Sequence, residues 1–499
     1  MTMNTCLMLF SPNPPTKTNQ LVHHSSIPSI FPLFKTHLPS SRKHQAKSHN
    51  TRKFGNFLDL QPEYQPEALD FDLLWHHSSD HSQFDVIIIG AGPAGIRLAE
   101  QVSLYGIKVC CVDPNPLSIW PNNYGVWLDE FEDLGLEDCL DKTWPMASIL
   151  IDDKNTKYLD RSYGRINRKK LKEKFVKGCV FNGVRFYKSK VWEIKHHEFE
   201  SIVVCDNGKE LKASLVVDAS GFGSKFIDRD DHKVRNYGFQ VAFGVLAEVD
   251  FHPFDLDKVV LMDWRDSHLR DGNSISKSPT FMYAMPFSST LIFLEETSLV
   301  SRPAMSHMEV KRRMVARLRH LGINVKRILQ DEKGLIPMGG SLPRIPQNVI
   351  AFGGNSGIVH PSTGYMMART MALAPIVAAS INECLGSNRM IRGENLYAKV
   401  WSSMWPIERR VAREFYTFGM ETLLKLDLNE TRDFFDAFFE LKPNYLQGYL
   451  SSSLSLNDIV WLSMSLFAHA SNRSRYAIAT KCPKLLAKMI GNICLEFLR

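Results

Sequence analysis

The 499-residue chain has a formal net charge of +7, but residues 1–58 contain seven basic residues and no acidic one, whereas residues 59–499 contain 53 of each. The body of the protein is therefore neutral, and its charge gives no reason to expect a nucleic acid as partner. No stretch reaches the roughly 18 uninterrupted apolar residues that a membrane-spanning helix requires.

The first 58 residues have the composition of a plastid transit peptide, because they are rich in Ser and Thr, free of acids and without the apolar core of a secretory signal. This predicts a plastid location, in chromoplasts or chloroplasts. Residues 59–83 are polar and His-rich, and we interpret them as a solvated linker instead of a metal site. The cysteines show no paired CxxC spacing, and we predict no metal centre.

A strand, a glycine-rich turn, a helix and a second strand follow one another after the linker. The apolar run 86–89 is typical of a buried parallel strand. Gly90 allows a tight turn, Gly92 lets the backbone approach a pyrophosphate, and Gly95 lets the helix pack closely on the strand. Asp113 ends the second strand, where its carboxylate can accept hydrogen bonds from a ribose. The unit predicts a dinucleotide site.

Further segments ending in small residues lie far along the chain. A buried strand leads to Gly221, and the segment with Gly354 and Gly357 precedes Gly364 and an Ala/Met-rich helix. The β-rich residues in between depart from the regular strand–helix repeat of NAD dehydrogenases. Several separated segments favour FAD over NAD, since a flavin dinucleotide is long enough to be held from several parts of a chain.

Residues 280–285 and 291–296 are predicted to form a β-hairpin whose second strand carries Glu295 and Glu296. Because strand side chains alternate, only one of these two acids can face a given pocket. A carboxyl in an apolar pocket has a raised pKa and can act as a general acid, and nearby aromatic rings can stabilise a cation. From spacing alone, a charged strand edge is the competing interpretation.

Everything after residue 55 resembles the plant lycopene β-cyclases, and residues 355–357 resemble the chromoplast branch with capsanthin/capsorubin and neoxanthin synthases. The likeness is carried by residues 85–95, 120–127 (WPNNYGVW), 262–265 (MDWR), 293–297 (FLEET), 336–340 and 360–365.

This resemblance implies an α/β, FAD-binding glutathione-reductase-type (Rossmann-like) fold with an intertwined mixed β-sheet substrate domain and C-terminal helices. The expected parts are a discontinuous FAD-binding domain, a substrate domain with the FLEET hairpin and a helical region. Their ranges are 84–225 with 335–390, 226–334 and 391–499.

The resemblance also implies reduced FAD in a non-redox role, with NAD(P)H only as its reductant. It assigns the ADP half to the early glycines and Asp113, and the flavin end to Gly354, Gly357 and Gly364. Related flavoenzymes often have Asp where Asn355 stands, which leaves a contact of Asn355 with the cofactor open.

The expected reaction is lycopene β-cyclisation to β-carotene by acid catalysis, with Glu295 as the first candidate acid and Glu296 as the second. Alternatives are a capsanthin/capsorubin or neoxanthin synthase acting on epoxy-carotenoids, and a redox flavoenzyme such as a hydroxylase or desaturase. The expected partners are a lipophilic carotenoid and a plastid membrane surface. The runs 374–379 and 460–467 are apolar enough to lie at such a surface, and a core helix is the competing interpretation of each run.

Overall fold

A computed structural model of the chain describes residues 67–77, 79–80, 83–229, 237–267, 278–386 and 390–498. The predicted transit peptide, residues 1–58, lies outside this part of the chain. The described strands form three sheets, and a series of helices follows them toward the C-terminus.

The strands and helices are numbered in chain order. The strands are β1 (Gln83–Ile89), β2 (Val109–Asp113), β3 (Gly125–Trp127), β4 (Leu140–Trp144), β5 (Met146–Leu150), β6 (Thr156–Leu159), β7 (Tyr163–Ile166), β8 (Arg185–Lys188), β9 (Val191–His196), β10 (Ser201–Cys205), β11 (Glu210–Asp218), β12 (Tyr237–Val249), β13 (Lys258–Asp263), β14 (Thr280–Pro286), β15 (Leu291–Ser298), β16 (Val325–Gly339) and β17 (Ile350–Ala351). The helices are α1 (Pro93–Ser103), α2 (Leu128–Glu132), α3 (Arg168–Phe181), α4 (His307–His320), α5 (Met367–Leu385), α6 (Glu394–Met404), α7 (Ile407–Leu423), α8 (Leu428–Phe438), α9 (Pro443–Ser451), α10 (Leu456–His469), α11 (Asn472–Lys481) and α12 (Pro483–Leu498).

The first sheet has the order β8-β2-β1-β11-β10-β9, with β17 beside β11. Its strands β8, β2, β1, β11 and β17 run parallel, whereas β9 and β10 extend it in antiparallel fashion. Ile87 and Ile88 have no accessible surface, and helices α1, α3 and α5 contribute to the core that covers one face. The apolar run predicted as a buried parallel strand therefore forms the centre of a Rossmann-like sheet.

The second sheet has the order β16-β12-β15-β14-β13-β5-β6, in which only β13 and β5 pair in parallel. The predicted hairpin is present as β14 and β15. Helix α4 covers one face of this sheet, and α7 and α8 pack on the opposite face. A small sheet, β3-β7-β4, lies beside it.

The segment expected to be a solvated linker is partly buried, which corrects that expectation. Leu69, Leu73 and His76 are only 5–6% exposed. The His76 amide donates to the Phe186 carbonyl oxygen at 2.9 Å, next to an isolated bridge between Trp75 and Phe186. Strand β8 is an edge strand with backbone groups left open, and this segment pairs with them. Within the described residues, no cluster of His, Cys, Asp or Glu is arranged to hold a metal ion.

Candidate active site

The glycine-rich turn between β1 and α1 has a shape that only glycine allows at two positions. Gly90 has φ +103°, and a Cβ there would lie 2.8 Å from the Ala219 carbonyl oxygen. A Cβ on Gly95 would lie 1.9 Å from the Gly90 oxygen. At Gly92 a Cβ would meet nothing within 4 Å, and no side chain caps the start of α1. The open helix N-terminus is suited to an anionic group such as a pyrophosphate.

Asp113 is held beside this turn at the end of β2. Its Oδ2 accepts a hydrogen bond from the Ala91 amide at 2.8 Å, and its Oδ1 accepts one from the Asn115 amide at 2.7 Å. The residue is only partly buried, so its carboxylate can accept further hydrogen bonds. A ribose contact by Asp113 therefore stays a prediction that the geometry allows.

The late glycine segment is tied to β11 through Asn355. This fully buried amide donates from Nδ2 to Asp218 Oδ2 at 2.9 Å, while Arg229 Nη2 donates to its Oδ1 at 3.1 Å. The side chain of Asn355 is thus engaged within the protein. Its neighbour Gly354 lies beside the turn that contains Gly221, since a Cβ on Gly354 would be 3.8 Å from the Phe222 amide nitrogen.

Gly357 and Gly364, two other glycines predicted to contact the cofactor, lie where a larger side chain would clash with neighbouring residues. A Cβ on Gly357 would lie 2.6 Å from Leu342 Cδ2, and one on Gly364 would lie 2.8 Å from Gln240 Oε1. Both glycines also have positive φ, +85° and +75°, which favours glycine over other residues. A cofactor contact at these positions stays a prediction, and it would have to use backbone atoms.

Glu295 lies on β15 opposite Gly244 of β12 and opposite Tyr283 of β14. The Thr297 hydroxyl, two residues along the same face, donates to Glu295 Oε1 at 2.5 Å. Burial removes water from the carboxyl group and raises the pKa of Glu295 above its ordinary value, although hydrogen bonds from neighbouring side chains oppose this rise. Part of the Glu295 surface remains accessible to solvent.

The structure adds Glu332, which the sequence interpretation missed. It lies on β16 opposite the same Gly244, and the Asn123 amide donates to its Oε2. Glu295 pairs with Gly244 from the other neighbouring strand, so the side chains of Glu295 and Glu332 project from the same face on either side of this glycine. Desolvation and the adjacent Glu295 hold the pKa of Glu332 well above its usual range. A glycine inside a strand was the available sequence signal, because it often marks a close approach.

Glu296 points to the opposite face of the sheet and is fully buried. Arg317 of α4 binds it with two hydrogen bonds, Nε to Oε2 at 2.8 Å and Nη2 to Oε1 at 3.0 Å. Arg317 also donates to the Arg265 carbonyl oxygen at 2.6 Å. The second candidate acid is therefore an ionic partner of α4, and the structure places it on the face of the sheet opposite to Glu295.

Aromatic rings line the face on which Glu295 lies. Phe293 and Tyr283 are 6.2 Å apart between ring centroids, Tyr283 and Tyr163 are 6.5 Å apart, and Tyr163 and Trp127 are 4.9 Å apart. Their π faces can stabilise a positive charge that develops nearby.

Residues 120–127 bridge the nucleotide turn and the acidic face. Trp120 Nε1 donates to the Ala91 carbonyl oxygen at 3.0 Å, while Asn123 contacts Glu332 through its amide. The Asn123 contact with Glu332 uses the backbone amide. The Asn123 side chain is held separately, because Arg165 Nε donates to Asn123 Oδ1 at 2.6 Å. Residues 120–127 would therefore lie between a cofactor bound at the glycine-rich turn and a substrate bound at the two acids.

A cavity of about 680 Å³ lies elsewhere, between residues 340–345 and helices α6, α7 and α12. Neither Glu295 nor Glu332 belongs to its lining. Cavity volume therefore does not mark the acidic site, which is distinguished by its chemistry.

Comparison with known proteins places the chain in a family. The family model described as "Lycopene cyclase protein" matches residues 85–476, which span both large sheets and most of the C-terminal helices. The chain belongs to the lycopene cyclase family.

Named relatives of this family member match it over most of their length. It is 63% identical to "Capsanthin/capsorubin synthase, chromoplastic" of Citrus sinensis over 99% of this chain and 100% of the relative. It is 61% identical to "Neoxanthin synthase, chloroplastic" of Solanum lycopersicum, with 99% and 98% covered. It is 55% identical to "Lycopene beta cyclase, chloroplastic" of Arabidopsis thaliana, with 87% and 88% covered. These names support the plastid location predicted from the N-terminal composition.

Solved structures confirm the fold class of this lycopene cyclase family member. A geranylgeranyl bacteriochlorophyll reductase-like protein from Thermoplasma acidophilum superposes with a TM-score of 0.59 at 15% identity, over 82% of this chain and 99% of the other. The halogenase PltM, solved with phloroglucinol and FAD, has a TM-score of 0.54 at 13% identity, over 83% and 96%. The fold is that of FAD-binding flavoproteins.

Proposed function

We propose that this lycopene cyclase family member forms or rearranges a carotenoid end ring by acid catalysis, with Glu295 as the proton donor. The observation that carries the proposal is a carboxyl group with a raised pKa on a strand face lined by aromatic rings. An acid that stays protonated near neutral pH is what the protonation of an alkene requires.

For lycopene, the proposed reaction is an isomerisation in three steps. The Glu295 carboxyl gives its proton to the terminal double bond, and the resulting cation is attacked by the neighbouring alkene to close the ring. Loss of a ring proton to the Glu295 carboxylate then gives the β-ring and restores the acid. Atoms and electrons balance without an oxidant or a reductant, so the product has the mass of the substrate.

An epoxy-carotenoid is the second candidate substrate, because the relatives named capsanthin/capsorubin and neoxanthin synthase are 61–63% identical, above the 55% of the lycopene cyclase. Here the same acid would open the epoxide. The cation would then contract the ring to a ketone or lose a proton to give an allene, again without change of mass.

The proposal is tested by incubating the purified protein with lycopene and with violaxanthin in parallel, in the presence of FAD and NADPH. The expected product of either reaction is an isomer of its substrate, identified by chromatography and mass spectrometry. Added oxygen or lost hydrogen would assign the protein to redox flavoenzymes instead. The substrate that is converted faster identifies which ring reaction predominates.

FAD is the cofactor proposed for the first sheet. Gly90, Gly92 and Asp113 would hold its ADP half, and the segments around Gly354 and Gly364 would approach the flavin. The open start of α1 and the space beside Gly92 fit a pyrophosphate. When bound and reduced, the flavin would supply electron density to a cationic intermediate without net redox turnover, and NAD(P)H would serve only to reduce it.

Replacing Gly92 with Val is expected to lower the flavin content of the purified protein by at least about tenfold while leaving it folded. Beyond its chain neighbours, a Cβ here would meet no protein atom within 4 Å and no positive φ has to be accommodated, but the valine side chain would occupy the approach to the phosphates. Flavin absorbance per mole of protein is the measurement. Gly95→Val is the contrasting variant, since its Cβ would clash within the turn and is expected to prevent folding. Full flavin content in Gly92→Val would contradict the proposed site.

A contact with an anionic membrane surface is proposed for helices α10 to α12. Val460, Trp461, Met464 and Phe467 are 54–58% exposed and lie on one side of α10. Between residues 459 and 495 the chain has five basic residues and no acidic one. Of the helices that the structure describes, none combines the length and apolar character needed to cross a bilayer. Exposed apolar side chains beside basic ones are suited to the interface of a bilayer with anionic lipids.

The double substitution Trp461→Ser/Phe467→Ser is expected to weaken binding to anionic vesicles by at least about tenfold, because two apolar side chains no longer insert. Cosedimentation with vesicles of anionic and of neutral lipid measures the effect. Phe181→Ser on α3 is the matched control, since Phe181 is 90% exposed on another helix. Equal loss in both variants, or no loss in either, would refute this surface.

A further inference from the structure

Glu295 and Glu332 lie on either side of Gly244, a residue without a side chain. Both residues lie opposite Gly244, one on each neighbouring strand of β12, and residues paired in this way project from the same face. A Cβ on Gly244 would lie 3.0 Å from Glu332 Cγ, 3.2 Å from Glu332 Oε1 and 2.8 Å from Phe293 Cζ. Glycine at 244 therefore leaves room for the Glu332 side chain next to the strand that carries Glu295.

The adjacency of the two carboxyl groups has a direct chemical consequence. Two neighbouring carboxylates with little water around them repel each other, and an ionised carboxylate can only accept hydrogen bonds, so at least one member of the pair carries a proton. Other donors are already assigned: the Thr297 hydroxyl donates to Glu295, and the Asn123 amide donates to Glu332. Each carboxyl group therefore has one donor from elsewhere in the protein, and its other neighbour is the second carboxyl group of the pair.

The cationic side chains near the pair are bound by other groups. Arg168 on α3 donates to Gln330 Oε1 at 2.7 Å, and Arg165 pairs with Asp141 at 3.2 Å. The charge of Arg168 lowers the pKa of Glu332, but desolvation and the neighbouring Glu295 outweigh this effect. The environment of the pair therefore favours one negative charge at most over two.

The hydroxyl groups that face the pair carry no charge at physiological pH, since the ordinary pKa of a tyrosine is about 10 and burial raises the pKa of each one further. They belong to Tyr124, Tyr163 and Tyr283. These phenols therefore stay neutral when the carboxyl pair loses a proton, and they do not change the charge of the site.

We infer that Glu332 is a positioning residue that keeps its own proton and donates it as a hydrogen bond to Glu295, stabilising the carboxylate that forms when Glu295 protonates the substrate. This inference rests on the proposed function and deepens it. The proton balance closes within one turnover. Glu295 gives its proton to carbon and becomes a carboxylate bound by the Glu332 hydroxyl, and the proton lost from the ring returns to Glu295. Glu332 itself exchanges no proton with the substrate.

Burial acts on both carboxyl groups in the same direction. Desolvation raises the pKa of Glu295 and of Glu332 above the ordinary value of a glutamate. A hydrogen bond donated to the charged form of an acid makes that acid stronger. Glu295 is thereby kept protonated by burial, while its conjugate base is stabilised at the moment of proton transfer.

The decisive comparison is between Glu332→Gln and Glu332→Met, two side chains of similar length of which only Gln can donate a hydrogen bond. The Met variant is expected to lose roughly 100-fold in kcat, the usual cost of removing one preorganised donor to a developing anion. The Gln variant is expected to stay within about tenfold of the wild type. In the Met variant the alkaline limb of the kcat profile should also move to higher pH, because loss of the donor raises the pKa of Glu295.

Melting temperature and flavin content of both variants establish that they are folded. A second variant, Gly244→Ala, displaces Glu332 without changing either carboxyl group and is expected to lower kcat in the same direction. Equal activity of Gln and Met variants, whether high or low, would overturn the role of Glu332 as donor. A wild-type protein without ring-forming activity would instead overturn the proposed function, so the two failures are distinguishable.

Stability offers a readout that does not depend on catalysis. The pKa of Glu332 in the folded protein lies above the ordinary value of 4.5, so its contribution to stability is complete below that pH and is lost as pH rises through the folded value. Glu332→Gln cannot ionise. The wild type is therefore expected to lose more stability than Glu332→Gln in thermal unfolding as the pH rises above the ordinary pKa of a glutamate. Parallel pH profiles for the two proteins would contradict the protonated state of Glu332.

Discussion

Replacing Glu295 with Gln is expected to lower ring formation by roughly 1,000-fold while leaving folding and flavin content unchanged. Gln has the same size and can still accept the Thr297 hydrogen bond at its carbonyl oxygen, but it has no acidic proton to give. The loss should appear in kcat, because the proton is transferred only in the transition state. Initial rates of product formation by the purified variant, with lycopene and with violaxanthin, measure the effect.

Glu210→Gln is the matched control for this substitution. Glu210 forms an exposed ion pair with Lys195 at 3.1 Å on the first sheet and has no contact with the acidic face. Its activity is expected to equal that of the wild type. If Glu295→Gln keeps more than about a tenth of the wild-type rate, Glu295 is not the general acid.

Replacing the adjacent Glu296 with Gln is expected to lower the free energy of unfolding by about 3 kcal/mol. The substitution removes the negative charge and one of the two acceptor oxygens that bind Arg317, whose guanidinium group is buried and cannot be solvated. We expect the lower end of the range for breaking a buried ion pair, because Asp263 remains 3.8 Å from Arg317. Denaturant unfolding monitored by circular dichroism measures the change.

Two further variants separate the loss of the ion pair from other effects of this substitution. Glu248→Gln, which breaks an exposed pair with Arg327, should cost less than about 1 kcal/mol. Glu296→Gln combined with Arg317→Met should recover part of the stability, because the uncompensated charge is gone. Activity per folded molecule should stay close to that of the wild type. A stable but inactive Glu296→Gln protein would exchange the roles assigned to the two glutamates.

Glu295 and Glu296 show what a local sequence pattern can predict and what it cannot. Alternation along a strand predicted that Glu295 and Glu296 lie on opposite faces, and the structure confirms this. Alternation could not tell which face would be covered by a helix, because that depends on α4, which follows the hairpin in sequence. Arg317 on that helix decides that Glu296 has an ionic partner, whereas Glu295 meets a second carboxyl group.

The nucleotide unit was predictable because its chemistry is local. Gly90, Gly92, Gly95 and Asp113 lie within one strand–turn–helix–strand sequence, and the φ angles and close contacts that require glycine arise inside that unit. Burial of the segment around His76 was not predictable in the same way. Its polar composition indicates solvent exposure, but the open edge of β8, more than 100 residues away, offers it backbone partners.

The sequence by itself therefore determined the Rossmann-like unit, the hairpin with its alternating acids and the family to which the chain belongs, since each depends on residues close together or on specific motifs. Only the tertiary structure decided that Glu332 joins Glu295. These residues are 37 positions apart, and they become neighbours because two strands pair on either side of Gly244, where the glycine leaves space for the Glu332 side chain. Long-range strand register has no signature in local spacing, which is why the partner of the acid became visible only in the folded chain.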